Sequence, residues 1–457
     1  MNSRVLVVDS TGRGHALCDL FVRTDAGVTV YYGPGNEALD EPRIVSVPSI
    51  RLDDPTTALA FLAHTPVDFV FVSNIDALCA GYVDVLRAHG HVVIGPSRAA
   101  AQLEASKERG KRFCRDHGLA TAEYAAFDRP GAALAHVRSV PYLCVVKTDG
   151  LTPDGDGSVV CSTVEEAEHA VARFASVQGE DFHVVVEERL YGREISVFAL
   201  LDGTRGLVFP TGLDYKRTLE NDAGKNCDGM GSVAPHPDMT PALEETIRRT
   251  LVEPLLEGLR DEGLDYTGFV YIGAMNTASG LRVIEINTRF GDSEAEAVLP
   301  SVQNDFTRLC RSVLAGTLER QELVTDGLVR CSVALVQGSL DERDPDTAPG
   351  WPFGAFETGQ PVRGLSDVDR RAVRVFHANT TLDEHGTTVS SGGRVLHVVG
   401  SGTTLSDARA EAYRQIARVS FPGMRYRTDI GALDASPAVG ASPARADTQP
   451  PVVVGIP

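Results

Sequence analysis

A glutamate and an asparagine two residues apart, Glu285 and Asn287, end an apolar stretch and are followed by Arg289. Because side chains alternate along a strand, we expect Val283, Glu285 and Asn287 to share one face. A carboxylate and an amide oxygen side by side suit Mg²⁺, which takes further ligands from substrate phosphates. The planar guanidinium of Arg289 suits a carboxylate or a phosphate. The pattern predicts a metal and anion site, although an edge strand with a solvated polar face fits the same spacing.

Two lysines are placed to meet the phosphate groups of a nucleotide. Lys147 ends an apolar run directly before a glycine-rich, acidic loop, Thr148–Ser158. A cation there can meet phosphate oxygens while the backbone N–H groups of the loop cradle them. Lys107 lies in a helix that we predict over Ser97–His117, with Ser97 as its N-cap. Either lysine alone is typical of a solvated surface, so the prediction requires that the two converge.

Two glutamates flank a predicted turn. His183–Glu187 and Glu194–Leu201 are apolar runs of strand length, and we predict that they pair as a hairpin. An adenine base needs a hydrophobic slot with backbone hydrogen bonds, and a ribose needs a carboxylate for its hydroxyl groups. The chain after Glu187 could provide the first and Glu194 the second. Charged residues at a solvated turn would give the same pattern.

Acid–base and covalent chemistry are less clearly indicated. His15 and His377 are candidates for a general base. Neither has a residue nearby in the sequence that would orient its ring. No Ser/His/Asp or Cys/His arrangement stands out in the sequence, so we do not predict a covalent nucleophile.

Composition limits the class of protein. A chain of 457 residues suggests about three domains. Its net charge of −19 opposes a general nucleic-acid or anionic-membrane partner, and no apolar run is long enough to span a membrane. Eight cysteines occur singly, which predicts reduced, mostly buried thiols in a cytoplasmic protein and makes a zinc site unexpected. The N-terminus leads straight into a strand, so we expect no signal peptide.

The order of predicted elements indicates several units. Arg4–Asp9 is a strand followed by a glycine-containing loop and a helix, which opens a doubly wound α/β unit. Thr267–Met275 and Leu281–Asn287 form a predicted hairpin that carries the metal ligands. From about Val329 strands dominate, which predicts a small α+β domain. After Gly431 the chain is rich in Ala, Pro and Ser, and we expect it to be largely disordered.

Together, several segments resemble the phosphoribosylamine–glycine ligase (glycinamide ribonucleotide synthetase) family of the ATP-grasp superfamily, from about Arg4 to Gly431. They are Gly95-Pro96-Ser97 with Ala101-Gln102-Leu103-Glu104 and Lys107, Val145-Val146-Lys147 with Asp149-Gly150-Leu151, Glu187-Glu188, Lys216-Arg217, Gly229-Met230-Gly231, Glu285 to Asp292, Ser391-Gly392-Gly393-Arg394-Val395-Leu396, and Tyr426-Arg427 with Asp429-Ile430-Gly431.

The resemblance implies a multidomain α/β fold. It consists of an N-terminal doubly wound α/β domain (residues 1–97), an ATP-grasp core of α+β type (98–328), and a small C-terminal α+β domain (329–431) before a disordered tail (432–457). A flexible subdomain is inserted in the core at about 119–193.

The resemblance also implies roles for individual residues. The metal, Mg²⁺ or Mn²⁺, would be held by Glu285 and Asn287. The catalytic residues would be Arg289, Asp214 and Lys216. The residues that bind ATP would be Lys107, Lys147, Gly155, Gly157, Glu187, Glu188, Leu190 and Glu194. The residues that bind the substrates would be Gly12, Arg13, His15, Asn36, Asn74, Asp76, Asn226, Gly229, Gly231 and Arg217.

The chain departs from the family pattern in the loops that would handle substrates. The opening loop, Arg13-Gly14-His15, lacks the glutamate of the family motif. Ser73-Asn74-Ile75 stands in place of Gly-Pro-Glu, and Asp228 interrupts a stretch that is usually Asn-Thr-Gly-Gly-Met-Gly. Asp156 stands where the phosphate loop usually has a lysine, which reverses the local field. These changes predict an altered acceptor pocket, while the positions for ATP and metal are kept.

We therefore predict an ATP-dependent carboxylate–amine ligase that forms an amide through an acyl phosphate and releases ADP and phosphate. The favoured interpretation is a divergent paralogue with a different acceptor in a specialised biosynthetic pathway. The alternatives are genuine phosphoribosylamine–glycine ligase of purine biosynthesis and a non-catalytic nucleotide-binding regulator. The expected partners are a small-molecule amino acid and an amine, with no nucleic acid or membrane, and the protein is expected to be a monomer or a homodimer.

Overall fold

The computed structural model describes residues 3–152, 157–339 and 351–432. Gly155 and Asp156 of the predicted phosphate loop lie outside the described residues, as does all of the predicted tail after residue 432.

The strands and helices follow one another along the chain as alternating α/β units and then as mostly antiparallel strands. The strands are β1 Arg4–Asp9, β2 Thr29–Pro34, β3 Ile44–Ser46, β4 Phe69–Val72, β5 Val93–Ile94, β6 Tyr124–Phe127, β7 Cys144–Thr148, β8 Ser158–Val160, β9 Val184–Glu188, β10 Arg193–Leu201, β11 Gly206–Val208, β12 Leu213–Asp214, β13 Arg217–Leu219, β14 Ala223–Asn226, β15 Gly231–Ala234, β16 Gly268–Thr277, β17 Gly280–Asn287, β18 Val329–Gln337, β19 Val373–His377, β20 Thr380–Leu382, β21 Thr388–Ser390, β22 Arg394–Gly402 and β23 Met424–Arg425. The helices are α1 Gly12–Thr24, α2 Pro55–Leu62, α3 Ile75–Cys79, α4 Tyr82–Ala88, α5 Arg98–Ala105, α6 Lys107–Asp116, α7 Pro130–Ser139, α8 Val164–Gln178, α9 Pro241–Ile247, α10 Glu253–Asp261, α11 Glu294–Val298, α12 Phe306–Leu314 and α13 Leu405–Ile416.

The N-terminal sheet is parallel, in the order β3-β2-β1-β4-β5. Its strands are short apolar runs that are buried almost completely, as expected when helices cover both faces of a parallel sheet. The predicted doubly wound unit is confirmed. Its strand order changes direction beside β1, and the loops after β1, β2 and β4 therefore share one edge.

The predicted single helix over Ser97–His117 is wrong. Ser106 has extended backbone angles (φ −122°, ψ 116°) and separates α5 from α6. Its hydroxyl accepts the backbone N–H of Arg109 and so caps α6. The break makes Lys107 the first residue of a new helix, in whose first turn the N–H groups of Glu108 and Arg109 donate to Asp149 and Ser106.

The predicted hairpin between His183–Glu187 and Glu194–Leu201 is also wrong. β9 lies in an antiparallel sheet of order β6-β9-β7-β8. β10 lies in a second antiparallel sheet of order β11-β10-β16-β17, which we call the central sheet. The Glu188–Arg193 connection therefore crosses from one sheet to the other. The second predicted hairpin is confirmed, because β16 and β17 pair as neighbours.

A third antiparallel sheet, β12-β15-β18-β22-β19 with β23 beside β18, combines strands from both sides of Val329. We call it the third sheet. The core also crosses the predicted domain boundaries. One apolar cluster contains Phe21 and Phe71 of the N-terminal unit, Phe269 and Phe290 of the centre, and Phe306 of α12. Shared packing of this kind fixes the N-terminal loops relative to the central sheet.

All eight cysteines are free, and seven of them are buried, as predicted. Among the described residues, no helix is both long and apolar enough to cross a membrane.

Candidate active site

Glu285 and Asn287 end β17 on one face of the central sheet, but Val283 does not share that face. Gly273 on β16 lies opposite Glu285, and the next residue of β16 lies opposite Val283, so a β-bulge adds one residue to β17 between them. Val283 and Ile286 consequently both pack into the apolar core. The prediction of one face for all three residues is wrong, because a bulge reverses the alternation of side chains. The two predicted metal ligands still face the same way.

Glu285 is surrounded by cations. Its Oε1 lies 3.8 Å from Nζ of Lys216. Burial raises the pKa of Glu285, but Lys216, Lys147, Lys107 and Arg289 together lower it to about 2. The carboxylate is therefore ionised at any working pH, which is the form that a hard cation needs.

Lys216 connects the two predicted carboxylates of the nucleotide site. Its ammonium group forms an ion pair with Glu194, donates to the hydroxyl of Tyr271 at 3.2 Å and approaches Glu285. Although burial opposes the charge, these neighbours raise the pKa of Lys216 well above its ordinary value. Lys216 thus stays charged between the predicted ribose ligand and the predicted metal ligand.

Lys147 and Glu187 form a buried ion pair, with Lys147 Nζ 3.1 Å from Glu187 Oε1. Lys111, from α6, contacts the other carboxylate oxygen at 2.9 Å. Burial raises the pKa of Glu187, yet the two lysines lower it below its ordinary value. The carboxylate of Glu187 is thus directed at lysines rather than at a base, so an adenine contact there would use the backbone. The role of Lys111 was missed, although it lies one turn after Lys107 on the same helix face.

Lys107 ties the start of α6 to the glycine-rich loop. Its Nζ donates to the carbonyl of Gly150 at 2.7 Å. Asp149 accepts the Ser106 hydroxyl at 2.9 Å and the Glu108 backbone N–H at 3.0 Å. Burial lowers the pKa of Lys107, and neighbouring Lys147 lowers it further while Glu285 raises it. The two predicted phosphate lysines are therefore close enough to influence each other's charge.

Arg289 is held by Glu104, a residue of α5 that contacts one of its Nη atoms at 2.8 Å. The same nitrogen lies 3.5 Å from Oδ1 of Asn287, while Nε of Arg289 is buried and has no hydrogen-bond partner. Glu104 also accepts the backbone N–H of Thr288 at 2.7 Å. Its positioning role was missed, although Glu104 belongs to the segment Ala101-Gln102-Leu103-Glu104.

Asp214, at the end of β12, lies near Glu294 in a buried acidic pair. Burial raises the pKa of Asp214 well above its ordinary value, and Glu294 raises it further. The pKa of Glu294 is also raised by burial, despite the opposing charge of Lys216 and a hydrogen bond from Ser196 at 3.0 Å. The pair can therefore hold a proton where a charged substrate group would approach.

A second acidic group lies where the α1, α11 and β22 elements meet. Arg394 pairs with Asp292, and the backbone N–H of Arg13 donates to Asp292 at 2.9 Å. Glu296 and His397 are fully buried, and within the described part of the chain Glu296 Oε1 and both nitrogens of His397 have no hydrogen-bond partner. Burial raises the pKa of Glu296 well above its ordinary value, and Asp292 raises it further.

Two residues predicted to bind substrate are used inside the protein. Nε of Arg13 donates to Asp9 at 3.1 Å, and its Nη1 donates to the carbonyl of Phe290 at 3.2 Å. Nδ1 of His15 accepts the backbone N–H of His377 at 2.9 Å. Burial lowers the pKa of both His15 and His377, the second to about 3. The imidazole of His15 therefore joins α1 to β19, while the imidazole of His377 contacts the hydroxyl of Thr380 at 2.9 Å.

Three others lie in the predicted acceptor loops. Asn36 is buried and donates to the carbonyl of Ala378 at 3.1 Å. Asn74 caps α3 by accepting the backbone N–H of Asp76 at 2.9 Å, and the side chain of Asp76 is exposed. The first two contacts fix loops of the N-terminal unit, and Asp76 alone of the three is free to face solvent.

The hairpin of β13 and β14 holds two further predicted residues. Arg217 donates to the carbonyl of Gly224 at 2.9 Å, and Asn226 donates to the carbonyl of Ser158 at 3.2 Å, which ties this hairpin to the phosphate loop. Gly229 leaves no room for a Cβ beside the carboxylate of Asp214, and Gly231 leaves none beside Ser332 of β18. The two glycines are thus needed for close approach.

The remaining predicted nucleotide residues follow β9 or the phosphate loop. Oε2 of Glu188 lies 3.7 Å from Nη1 of Arg282, and Leu190 is half-buried after the end of β9. A Cβ on Gly157 would collide with Thr152, so the loop closes tightly there.

Three family models match consecutive parts of the chain, residues 3–295 and 347–433 together. The N domain of phosphoribosylglycinamide synthetase matches residues 3–104, its ATP-grasp (A) domain matches residues 105–295, and its C domain matches residues 347–433. The chain belongs to the phosphoribosylglycinamide synthetase family. The predicted family and the multidomain α/β fold are confirmed, and the protein is an ATP-grasp carbon–nitrogen ligase.

Full-length relatives share this family. The phosphoribosylamine–glycine ligase of Ralstonia nicotianae is 37% identical over 434 residues, which cover 94% of this chain and 98% of that protein. The enzyme of the same name from Caldanaerobacter subterraneus is 34% identical over 435 residues, which cover 94% of this chain and 99% of that protein. These relatives carry the name of the alternative function considered from the sequence, and none of this favours a non-catalytic regulator.

Solved structures share the fold. The crystal structure of phosphoribosylamine–glycine ligase from Thermotoga maritima has a TM-score of 0.77 and 27% identity, covering 93% of this chain and 100% of that chain. An L-amino acid ligase from Bacillus licheniformis has a TM-score of 0.60 at 17% identity and covers 92% of this chain and 98% of its own, so it shares the fold alone.

Proposed function

We propose that this protein is a phosphoribosylamine–glycine ligase, which joins the carboxylate of glycine to the amine of phosphoribosylamine at the expense of ATP. The carboxylate oxygen attacks the γ-phosphorus, the bond to the β-phosphate oxygen breaks, and ADP leaves. The amine nitrogen then attacks the acyl phosphate, phosphate leaves, and the nitrogen loses a proton. The observation that carries the proposal is the convergence of Lys107, Lys147, Lys216 and Arg289 on the ionised Glu285.

The donor set at the end of β17 fits a divalent cation. Glu285 offers a carboxylate that stays ionised, and Asn287 offers an amide oxygen on the same face. Both are hard oxygen donors of the kind that Mg²⁺ or Mn²⁺ prefers. We propose that these two residues hold the metal, which would neutralise charge on the phosphates of ATP.

The lysines and the start of α6 would hold the polyphosphate. Lys147 is kept in place by Glu187, and Lys107 by Gly150. A bound phosphate would give the ammonium group of Lys107 an acceptor of opposite charge in place of the Gly150 carbonyl. Glu194 would meet the ribose, with Lys216 holding it in place.

The acceptor loops decide between the two substrate interpretations. The described acceptor loops that depart from the family pattern pair inside this protein. Arg13, in the loop that lacks the glutamate, pairs with Asp9, the Ser73 hydroxyl donates to Asp9 at 2.8 Å, and Asp228 lies 3.8 Å from Arg394. This internal pairing supports an unchanged acceptor. The side chains that differ from the family pattern have partners inside the protein, so they do not require a different substrate to pair with them. An unchanged acceptor agrees with the names of the full-length relatives.

An altered acceptor is the second candidate. The observation in its favour is Asp228, half-exposed beside Arg394. A carboxylate there would weaken the attraction of Arg394 for a substrate phosphate. Under this alternative the chemistry is the same, and another amine replaces phosphoribosylamine.

The test is an assay of ADP release with glycine and freshly generated phosphoribosylamine, with the amide product verified by mass spectrometry. We expect kcat/KM of about 10⁴ M⁻¹s⁻¹ or above, the ordinary range for an enzyme with its own substrate. Omission of glycine should abolish the amide. A value far below this range, together with amide formation from another amine, would replace our proposal by the altered-acceptor alternative.

A further inference from the structure

A crevice of about 460 Å³ lies away from the candidate active site, between the C-terminal end of α1, the segment after α11 and the edge of the third sheet. The helix α1 begins at Gly12, beside the Asp292–Glu296 group, and Arg23 is in its last turn. A helix of this length spans about 18 Å. The strand β22 also separates the crevice from the candidate active site. Arg394 begins β22 at the active-site end, and Ser401, near its other end, lines the crevice.

Arginines dominate the lining of this crevice in a protein whose net charge is −19. The charged residues that line it are Arg23, Arg330, Arg370, Arg371, Arg374 and Asp326. Arg330 pairs with Asp326, and Arg374 pairs with Asp19 of α1 at 2.8 Å. Within the described residues, these five guanidinium groups form ion pairs with two carboxylates, which is an excess of about three positive charges, and Asp40 attracts Arg370 from a greater distance.

The arginines repel one another. Burial lowers the pKa of Arg23, and Arg374 and Arg330 lower it further, against the opposing effect of Asp19. Nε of Arg23 lies 3.6 Å from Asp19 but is buried without a hydrogen bond. Like charges held this close raise the free energy of the folded protein unless an anion relieves them.

The guanidinium groups of Arg23 and Arg330 are fixed by backbone carbonyls. Arg23 donates to the carbonyls of Val302 and Leu299, at 2.8 and 3.1 Å, and Arg330 donates to the carbonyl of Pro300 at 3.2 Å. Arg370 makes only a long contact of 3.4 Å with the carbonyl of Val375. Within the described residues, the side chain of Arg371 makes no hydrogen bond or ion pair. A rigid base with two uncommitted arginines at its rim can close around a ligand.

We propose that this crevice binds a small molecule that carries two linked phosphate groups. Its volume suits a small ligand, and the planar fork of arginine matches phosphate oxygens in pairs. A single phosphate carries at most two negative charges near neutral pH, whereas a diphosphate carries about three, which matches the excess of positive charge. The ligand would contact α1, the segment before α12 and the third sheet, and so would hold the three parts of the chain together.

The test is calorimetric titration with pyrophosphate in a metal-free buffer, using the Lys147→Ala variant so that the candidate nucleotide site contributes little. We expect one pyrophosphate per chain. Reversal of two rim charges, Arg370→Glu with Arg371→Glu, should weaken this binding by about tenfold or more for each arginine–phosphate hydrogen bond that it removes. The matched control is Arg363→Glu, an exposed arginine of the same sheet region outside the crevice, which should leave binding unchanged.

Three further measurements test the proposal. Thermal unfolding should shift upward with pyrophosphate in the control and not in the charge-reversal variant. Inorganic phosphate should bind at least tenfold more weakly than pyrophosphate, and equal binding of citrate would overturn the assignment to phosphate groups. If the charge-reversal variant does not fold, Arg371→Gln alone should still weaken binding. The same affinity in the rim variants and the control, or no binding at all, would overturn the proposal.

Discussion

The nucleotide end and the acceptor end of the candidate site treat their carboxylates in opposite ways. At the nucleotide end, Glu187 is buried and Glu285 is half-buried among lysines, and both pKa values lie below their ordinary range. At the acceptor end, the half-buried Asp214 and the buried Glu294 and Glu296 have raised pKa values, while Asp292, beside Arg394 and Arg13, has a lowered one. Burial raises the pKa at both ends. At the nucleotide end the lysines outweigh burial, whereas at the acceptor end burial outweighs Lys216 and Arg289 for Glu294, and a neighbouring acid adds to burial for Asp214 and Glu296.

The difference indicates separate tasks. Fixed positive and negative charges at the nucleotide end are ready for phosphates and a metal at any working pH, which is how preorganised electrostatics reduces a barrier. Carboxyl groups whose pKa values are raised at the acceptor end are better suited than ordinary carboxylates to accept a proton as an amine or a carboxylate arrives. We therefore expect substitutions at the nucleotide end to affect turnover at all pH values. For substitutions at the acceptor end, we expect the size of the effect to depend on the pH.

The largest effect should come from the centre of the nucleotide end. Glu285→Ala removes the carboxylate on which four cations converge, so we expect turnover to fall by about a thousandfold or more, since metal-ion stabilisation is worth several kcal/mol. The measurement is ADP release over a series of Mg²⁺ concentrations, with circular dichroism to verify the fold. Full activity under limiting Mg²⁺ would contradict the metal assignment.

Lys147→Ala should have the next largest effect. The variant lacks a charged hydrogen bond to phosphate worth roughly 1.5–3 kcal/mol, or about tenfold to a hundredfold. It also leaves Glu187 with Lys111 alone. ATP affinity and rate should both be measured, with Arg112→Ala as the control, because Arg112 is an exposed cation on α6. The assignment fails if Lys147→Ala matches this control.

A smaller effect is expected for Glu104→Gln, because Glu104 positions Arg289 rather than touching a substrate. Weakening of one charged contact should raise KM for the carboxylate substrate by about tenfold and leave KM for ATP unchanged. A purely structural role would instead lower thermal stability and both affinities together. Glu104→Asp, which keeps the charge, should restore part of the affinity.

The sequence predicted elements that depend on local patterns. The apolar runs of the N-terminal sheet and the β16–β17 hairpin have such patterns, and the residues of the ATP and metal positions occur in recognisable segments. The bulge in β17 and the break at Ser106 were missed, because a register shift and one extended residue leave the apolar periodicity almost unchanged. Pairing of β9 with β10 was assumed from their nearness in sequence, whereas tertiary packing sends them to different sheets.

Contacts between residues far apart in the chain could not be predicted from the sequence either. Lys111 meets Glu187, and Glu104 meets Arg289, only after the α5–α6 unit has packed against both antiparallel sheets. No spacing within the sequence carries that information. The acceptor loops show the same limit, since the partners of Arg13 and Asp228 are set by the fold.

The smallest effect, and the one that most directly tests the acceptor end, is on stability. Glu296 is fully buried, and burial together with Asp292 raises its pKa above the ordinary value of 4.5. The folded protein therefore binds this proton more tightly than the unfolded chain does. The stabilising contribution is fully present below pH 4.5 and is lost as the pH rises through the pKa of the folded protein. Glu296→Gln keeps a donor for Asp292 and cannot ionise.

We expect Glu296→Gln to be more stable than the natural protein at pH 8, by on the order of 1 kcal/mol, the usual size of one favourable substitution. The difference should shrink as the pH falls toward 4.5, because the natural glutamate then regains its proton. Thermal unfolding across this pH range measures it, with exposed Glu257→Gln as the control. A difference that grows toward low pH would mean that Glu296 is ionised in the folded protein, and the contrast between the two ends of the site would then be wrong.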